Sequence, residues 1–198
     1  MWHWDSSSRR RAGVGLLAAW ALVAAAGTAG ARVLLSRDQA LRLAFADASV
    51  ERQARFLTDA QMAHAREIAG DGVEIPSALV TRYVATLDGK AVGTAYFDTH
   101  TVRSLPETVM VVVESGARIA RVEVLSFGEP EDYLPKAGWL GQFSGRVLDR
   151  DLAIKRGIHG ITGATLSARA VTEATRRVLA IHRVLLESEA IAARGASR

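Results

Sequence analysis

The sequence contains no cysteine. Without thiols the chain can form no disulfide, thiolate metal site, iron–sulfur cluster or covalent haem, and it has no cysteine nucleophile. Its five histidines show no metal-ligand spacing, so the sequence does not favour a metal site. Any redox chemistry of this protein therefore needs a carrier other than a thiolate-bound metal.

The sequence also lacks the signs of a nucleic-acid-binding protein. The formal net charge is +4 and the pI is near 9.9, but the arginines are scattered and aromatic residues make up only 6% of the chain. Because basic and aromatic residues are not interleaved, nucleic acid is not an expected partner, and a polyanion-binding domain is the weakest alternative. The length of 198 residues, 49% of them hydrophobic, suits one packed domain with appendages.

The N-terminal region predicts export. The cluster Arg9–Arg11 precedes twenty residues without charge, 12–31, and Arg32 follows. Such a run can just span a bilayer, and the arginine cluster before it is expected to stay in the cytoplasm. Small residues at 29–31 also fit a signal-peptide cleavage site, so an anchor and a cleavable signal both remain open. Either alternative places the working domain on the exported side of the cell membrane, periplasmic or extracellular.

The remaining pattern predicts an α+β fold with a largely antiparallel sheet and flanking helices. We expect an anchor or signal helix within 1–35, the exported domain at 36–190 and a flexible tail at 191–198. Ser36 is positioned to cap a first helix. A second helix is predicted over 57–69, with Thr58 or Asp59 at its start and Gly70-Asp71-Gly72 at its stop.

Two hairpins are predicted after Pro76. Runs 79–87 and 91–98 meet at Asp88-Gly89, a dipeptide suited to a tight turn. Runs 108–114 and 117–127 meet around Ser115-Gly116, and imperfect alternation in the second run indicates a bulge. The apolar stretch 110–113 is typical of a central strand.

A long helix is predicted from Leu166 to about Ala192. Apolar residues at 171, 174, 178, 181 and 185 form its core-facing stripe. Glu173 and Arg177 have the spacing of an i,i+4 ion pair on this helix.

The segment 160–167 (Gly-Ile-Thr-Gly-Ala-Thr-Leu-Ser) is the most informative motif. It is predicted to follow a strand-like segment and to open the long helix. Glycines at 157, 160 and 163 allow a ligand to approach the backbone closely. A Thr hydroxyl lies at the N-terminus of the predicted helix, where an anion is favoured. The alternative interpretation is a Thr N-cap after a glycine-rich turn. The glycine spacing fits neither a dinucleotide fingerprint nor a P-loop.

This motif, the export segment and the hairpin order together resemble the FMN-binding domain proteins. That family includes the covalent-flavin subunits of the Rnf complex and of the sodium-pumping NADH:quinone reductase. Its pattern is roughly Asp-x-x-Ser/Thr-Gly-Ala-Thr, and the last Thr carries FMN through a phosphoester bond. The resemblance covers about 35–186. It departs from the family at His159, where Asp is usual.

The resemblance implies a role for each residue of the motif. Thr165 would be the flavinylated residue, and Gly163 and Ala164 would be small enough to leave its hydroxyl accessible. Thr162 and Ser167 would bond phosphate or ribityl oxygens. Leu166 and Trp139 complete the cofactor-binding set. The flavin ring would rest against the segment that contains Trp139, Leu140 and Phe143. The alternative for Trp139 and Phe143 is ordinary core packing.

The resemblance therefore implies an exported, membrane-tethered flavoprotein whose FMN relays electrons. Its partners would be a flavin transferase, membrane redox subunits and the cell membrane. The acidic run at 129–132 is interpreted as a solvated turn rather than an acid/base pair, so a carrier is favoured over a stand-alone enzyme. The alternative is an unflavinylated module, left unmodified because of His159, that binds FMN loosely or acts as a scaffold.

Overall fold

The fold is described from a computed structural model that covers residues 31–114 and 116–196. Nearly all of the predicted N-terminal anchor or signal segment lies outside these residues. Within them, no helix has both the length and the apolar character needed to cross a bilayer.

In the described part of the chain, six antiparallel strands form one sheet, in the order β1-β6-β5-β4-β3-β2. This arrangement confirms the α+β prediction with a largely antiparallel sheet. Strands β1 and β2 were not predicted from sequence. Almost every side chain of β2 is exposed, so this edge strand lacks the alternating pattern of a half-buried strand. The strands are β1 Arg32–Val33, β2 Ser49–Phe56, β3 Leu79–Leu87, β4 Lys90–Thr101, β5 Pro106–Glu114 and β6 Arg118–Phe127.

Both predicted hairpins are present. Asp88 and Gly89 have φ values of 51° and 74°, the left-handed angles that a tight two-residue hairpin turn requires. The pairing of β5 with β6 skips one residue at Ala120 and one at Leu125, which confirms the predicted bulge. Residues 110–113 of β5 are buried on both faces, as expected for a central strand.

Four α-helices accompany the sheet in the described residues, and the starts of the first two follow the prediction. Ser36 and Thr58 each form a capping box with the Gln three residues later. Gly70, with φ of 91°, ends the second helix. The helices are α1 Arg37–Ala44, α2 Asp59–Ala69, α3 Ala137–Leu140 and α4 Thr165–Ala196.

Helices cover both faces of the sheet. Helix α1 packs on one face, where Phe45 meets Tyr83 and Met110 in the smaller apolar cluster. Helices α2 and α4 contact each other and cover the opposite face. The predicted apolar stripe of α4 is buried there, from Val171 to Leu185. The packing of α2 and α4 on this face fixes the position of the N-terminus of α4 relative to the sheet.

Three sequence-based expectations are corrected. The segment before α4, residues 144–164, is irregular rather than strand-like and contains a single bridge between Ile154 and Ile158. Arg177 does not pair with Glu173; its guanidinium donates to both oxygens of Asp98 on β4 at 2.8 and 2.7 Å. Helix α4 continues to Ala196, so most of the predicted tail is helical.

Candidate functional site

The N-terminus of α4 has an unusual capping residue. The Ala164 carbonyl accepts the N–H of Ala168 at 3.1 Å, so Ala164 occupies the N-cap position and Thr165 is the first helical residue. The alternative interpretation of Thr165 as an N-cap is therefore wrong. Alanine has no side-chain oxygen to cap a helix. Among the described residues, no acceptor bonds the N–H groups of Thr165, Leu166 or Ser167, so this positive helix end is left open.

A cavity of about 210 Å³ lies at this helix end. Three separate segments form it: the loop between β4 and β5, the turn after β6, and the first turn of α4. Thr165 and Leu166 are exposed in it, and Ser167 is buried. Its lining comprises Val102, Arg103, Glu129, Tyr133, Gly163, Ala164, Thr165, Leu166 and Ser167.

Glu129 holds the β4–β5 loop in place. Its Oε1 accepts the backbone N–H groups of Arg103, Ser104 and Leu105 at 3.1, 2.7 and 2.9 Å. The N–H groups of Ser104 and Leu105 are the main cause of a lowered pKa of the Glu129 carboxyl. The carboxylate therefore stays ionised and fixes the backbone from which Arg103 extends, a function that the solvated-turn interpretation did not include.

Only one of the three spaced glycines opens onto the cavity. Gly163 has φ of 81°, and no atom lies within 4 Å of the Cβ that another residue would add. A Cβ on Gly157 would meet the Asp151 carbonyl at 2.5 Å and Arg146 Nη1 at 2.7 Å. Gly157 is therefore required by packing inside its own loop, not by a ligand. Gly160 has only Ile154 Cγ2 nearby, at 4.0 Å.

The predicted ring contacts lie elsewhere. Phe143 is fully buried, and Leu140 is 5% exposed in the same core cluster. The Trp139 indole Nε1 donates to the His159 carbonyl at 2.7 Å, and the Trp139 ring packs edge-on against Phe143. Trp139 thus positions the loop before α4 and is not part of the cavity lining. Whether it contacts a flavin stays a prediction.

Neither the predicted site residue Thr162 nor His159, the departure from the family pattern, lines the cavity. Thr162 is exposed just before Gly163. His159 is held through its backbone, by the Trp139 bond and by an N–H that donates to Gln142 Oε1 at 2.8 Å. The side chain of His159 is exposed and has no bonded partner among the described residues.

Arg103, Tyr133 and Val102 were missed by sequence reasoning. They lie about 30 to 60 positions before the motif, in a loop and a turn with no motif of their own. The one usable signal was an aromatic residue, Tyr133, inside a proline-rich turn. Only the fold brings these side chains to the start of α4.

The fold and this cavity define an α+β domain with an anion-receptive helix end. Residues 104–180 match the family model of the FMN-binding domain. This match supports an FMN-binding domain within the chain and FMN as its cofactor. Among curated proteins, no sequence matches the chain significantly.

The residues at the cavity fit the parts of FMN. The open N–H groups of α4 and the side chain of Arg103 suit a phosphate. Tyr133, Val102 and Leu166 offer apolar surface for a planar ring. The cavity is smaller than the roughly 300 Å³ at which pockets begin to enclose a ligand of this size. A flavin held there would therefore keep part of its surface outside the cavity.

Proposed function

We propose that FMN is attached to this domain as a phosphoester of Thr165. The observation that supports this most directly is the position of Thr165. It is the first residue of α4, its side chain is exposed, and it lines a cavity beside three open N–H groups. A phosphate on its hydroxyl would lie where the helix end favours negative charge, by about 0.3–1 kcal/mol at a surface.

Other residues of the cavity have separate roles in this proposal. Arg103 neutralises the remaining phosphate charge, and Glu129 keeps the Arg103 loop in place. Gly163 and Ala164 leave the hydroxyl accessible. When bound, FMN supplies one- and two-electron transfer.

We propose that the flavoprotein is an electron carrier of an exported, membrane-tethered chain. The arginine cluster and uncharged run at the N-terminus support export and tethering. A covalent link suits such a compartment because a loosely bound flavin could escape from it. The carboxylate in the cavity, Glu129, is engaged by loop N–H groups, which suits a carrier better than an enzyme with acid–base chemistry. The partners proposed are a flavin transferase and membrane redox subunits, as in the Rnf and sodium-pumping complexes.

Intact-mass measurement tests the covalent link. The full chain is produced in cells that contain a flavin transferase, together with Thr165→Ala and Thr165→Ser. We expect one FMN adduct in the parent chain, none in Thr165→Ala, and a retained adduct in Thr165→Ser if the transferase accepts serine. Thr162→Ala is the matched control, because it removes a neighbouring exposed hydroxyl. An unmodified parent chain, or an adduct that persists in Thr165→Ala, contradicts the assignment.

The second candidate function is an unflavinylated FMN-binding or scaffold module. The supporting observation is His159, which presents an exposed imidazole six residues before the acceptor, where the family pattern has Asp. Denaturation followed by filtration separates the candidates. Flavin colour that passes into the filtrate supports this module, and colour retained by the polypeptide rejects it. An adduct that forms only in His159→Asp would identify this histidine as the cause.

A further inference from the structure

A second and larger cavity, of about 580 Å³, lies on a different part of α4. It is formed by the turn that follows α2, the irregular loop at 150–156, and the N-terminal half of α4 from Arg169 to Arg176. None of its lining residues is shared with the cavity at Thr165. The second cavity is therefore separate from the proposed site of flavin attachment.

The charge of this cavity is unbalanced. Four arginines line it, Arg150, Arg156, Arg169 and Arg176, against two carboxylates, Asp71 and Glu173. Four positive and two negative groups leave a formal charge of +2. Among the described residues, none of the four guanidinium groups lies within ion-pair distance of a carboxylate.

Arg176 is fixed in the wall of this cavity. Its Nε donates to the Ala69 carbonyl at 2.7 Å, and its Nη1 donates to the carbonyls of Asp149 and Leu152 at 2.7 and 3.0 Å. These three neutral acceptors orient the guanidinium without cancelling its charge. Its Nη2 has no acceptor among the described residues and lies beside Gly70, where an added Cβ would stand 3.0 Å away.

Burial in the cavity wall disfavours the charge of Arg176. Burial is the main cause of its lowered pKa; the charge of Asp149 raises that pKa, and the charge of Arg156 lowers it by less than Asp149 raises it. Guanidinium groups remain charged in proteins, so this cost of burial is not relieved by loss of a proton. An anion in the cavity would offset it, because it would interact with several positive groups at once.

We infer that this arginine-lined cavity is a binding site for a phosphoryl group. Guanidinium groups recognise phosphate through paired N–H···O bonds, and a doubly charged oxyanion matches the excess of two positive charges. The fixed Arg176 supplies an oriented donor, and the exposed Arg156 and Arg169 supply further donors from the loop and from the helix. The phosphoryl group can belong to a soluble phosphate ester or to a lipid headgroup.

Calorimetric titration of the full chain with inorganic pyrophosphate, at fixed ionic strength, tests the site. The double variant Arg156→Ala/Arg169→Ala is compared with Arg42→Ala/Arg52→Ala, which removes the same charge from exposed positions on α1 and β2. We expect saturable binding that weakens by about tenfold or more in the first variant and by less than about twofold in the second. Equal affinity in all three proteins, or no saturable binding to the parent chain, overturns the inference.

Two further arms identify the source of the phosphoryl group and separate this site from the flavin. Flotation with vesicles that contain phosphatidic acid, compared with phosphatidylcholine vesicles, reports a lipid headgroup. Loss of flotation in Arg156→Ala/Arg169→Ala assigns the site to the lipid, and unchanged flotation assigns it to a soluble ester. Pyrophosphate binding that persists in Thr165→Ala shows that the site is independent of the flavin, and binding lost in Thr165→Ala refutes a separate site.

Discussion

Replacing Arg177 by methionine tests the ion pair between α4 and β4. The Arg177 guanidinium contacts both oxygens of Asp98 and also donates to the Glu74 carbonyl at 2.6 Å. The two side chains are only 13% and 11% exposed, so the pair is largely desolvated. Methionine keeps much of the side-chain length but leaves the Asp98 carboxylate with His100 as its one charged partner.

The expected loss follows from this burial. Removing one member of a buried pair costs about 3–5 kcal/mol, and the remaining His100 contact favours the lower end, about 3 kcal/mol. For a domain of this size that corresponds to a fall in Tm of about 6–12 °C. Urea unfolding of the full chain in mild detergent measures the free energy of unfolding directly.

A surface pair serves as the matched control. Arg121 contacts Glu123 at 3.0 Å, but its side chain is 42% exposed, so Arg121→Met is expected to change the free energy of unfolding by less than about 1 kcal/mol. Adding Asp98→Asn to Arg177→Met should recover part of the loss, because it removes the uncompensated charge. A loss below about 1 kcal/mol in Arg177→Met, or no recovery in the double variant, refutes the reasoning.

Three further predictions concern stability. Burial alone would lower the pKa of His100, but bonds to two carboxylates raise it from 6.5 to about 9. Because the pKa of His100 is higher in the folded than in the unfolded protein, protonated His100 contributes its full stabilisation below about pH 6.5. This contribution is lost as the pH rises, so the free energy of unfolding should fall between pH 6.5 and about 9. His100→Asn should flatten that slope, and an unchanged slope contradicts the assignment. Gly157→Ala should lower the free energy of unfolding by about 1–3 kcal/mol, because the added Cβ would meet the Asp151 carbonyl. Gly160→Ala should be nearly neutral. Equal urea midpoints for the two variants would refute this contrast. Thr58→Ala should lose about 1 kcal/mol with the capping box of α2, measured in the same way, and an unchanged midpoint would show that the cap does not contribute.

Much of the fold was predictable because its signals are local. Ser36 and Thr58 cap their helices through residues three positions away, and Asp88-Gly89 forms a turn through its own backbone angles. The buried stripe of α4 follows from helical periodicity. Strand β2 escaped prediction because an exposed edge strand is held mainly by backbone pairing with β3, which leaves no apolar alternation in the sequence.

The ion pairs were not predictable in the same way. Glu173 and Arg177 have ideal helical spacing, yet Arg177 bonds Asp98, which is 79 positions away. The Asp98 contact is favoured because a charge-assisted contact to both carboxylate oxygens in a largely desolvated place is stronger than an ordinary i,i+4 pair on a helix. Sequence spacing reports only the neighbours along one helix.

The sequence by itself determined the helix caps, both hairpins, the central strand, the start region of α4 and the motif that contains Thr165. These features depend on interactions between residues a few positions apart, so a short stretch of sequence is enough to predict them. Tertiary structure alone decided that Arg103 and Tyr133 join Thr165 at one cavity, that Trp139 supports the loop instead, and that four arginines surround a second cavity. Such groupings arise when distant segments pack on one sheet, and no local pattern encodes that packing.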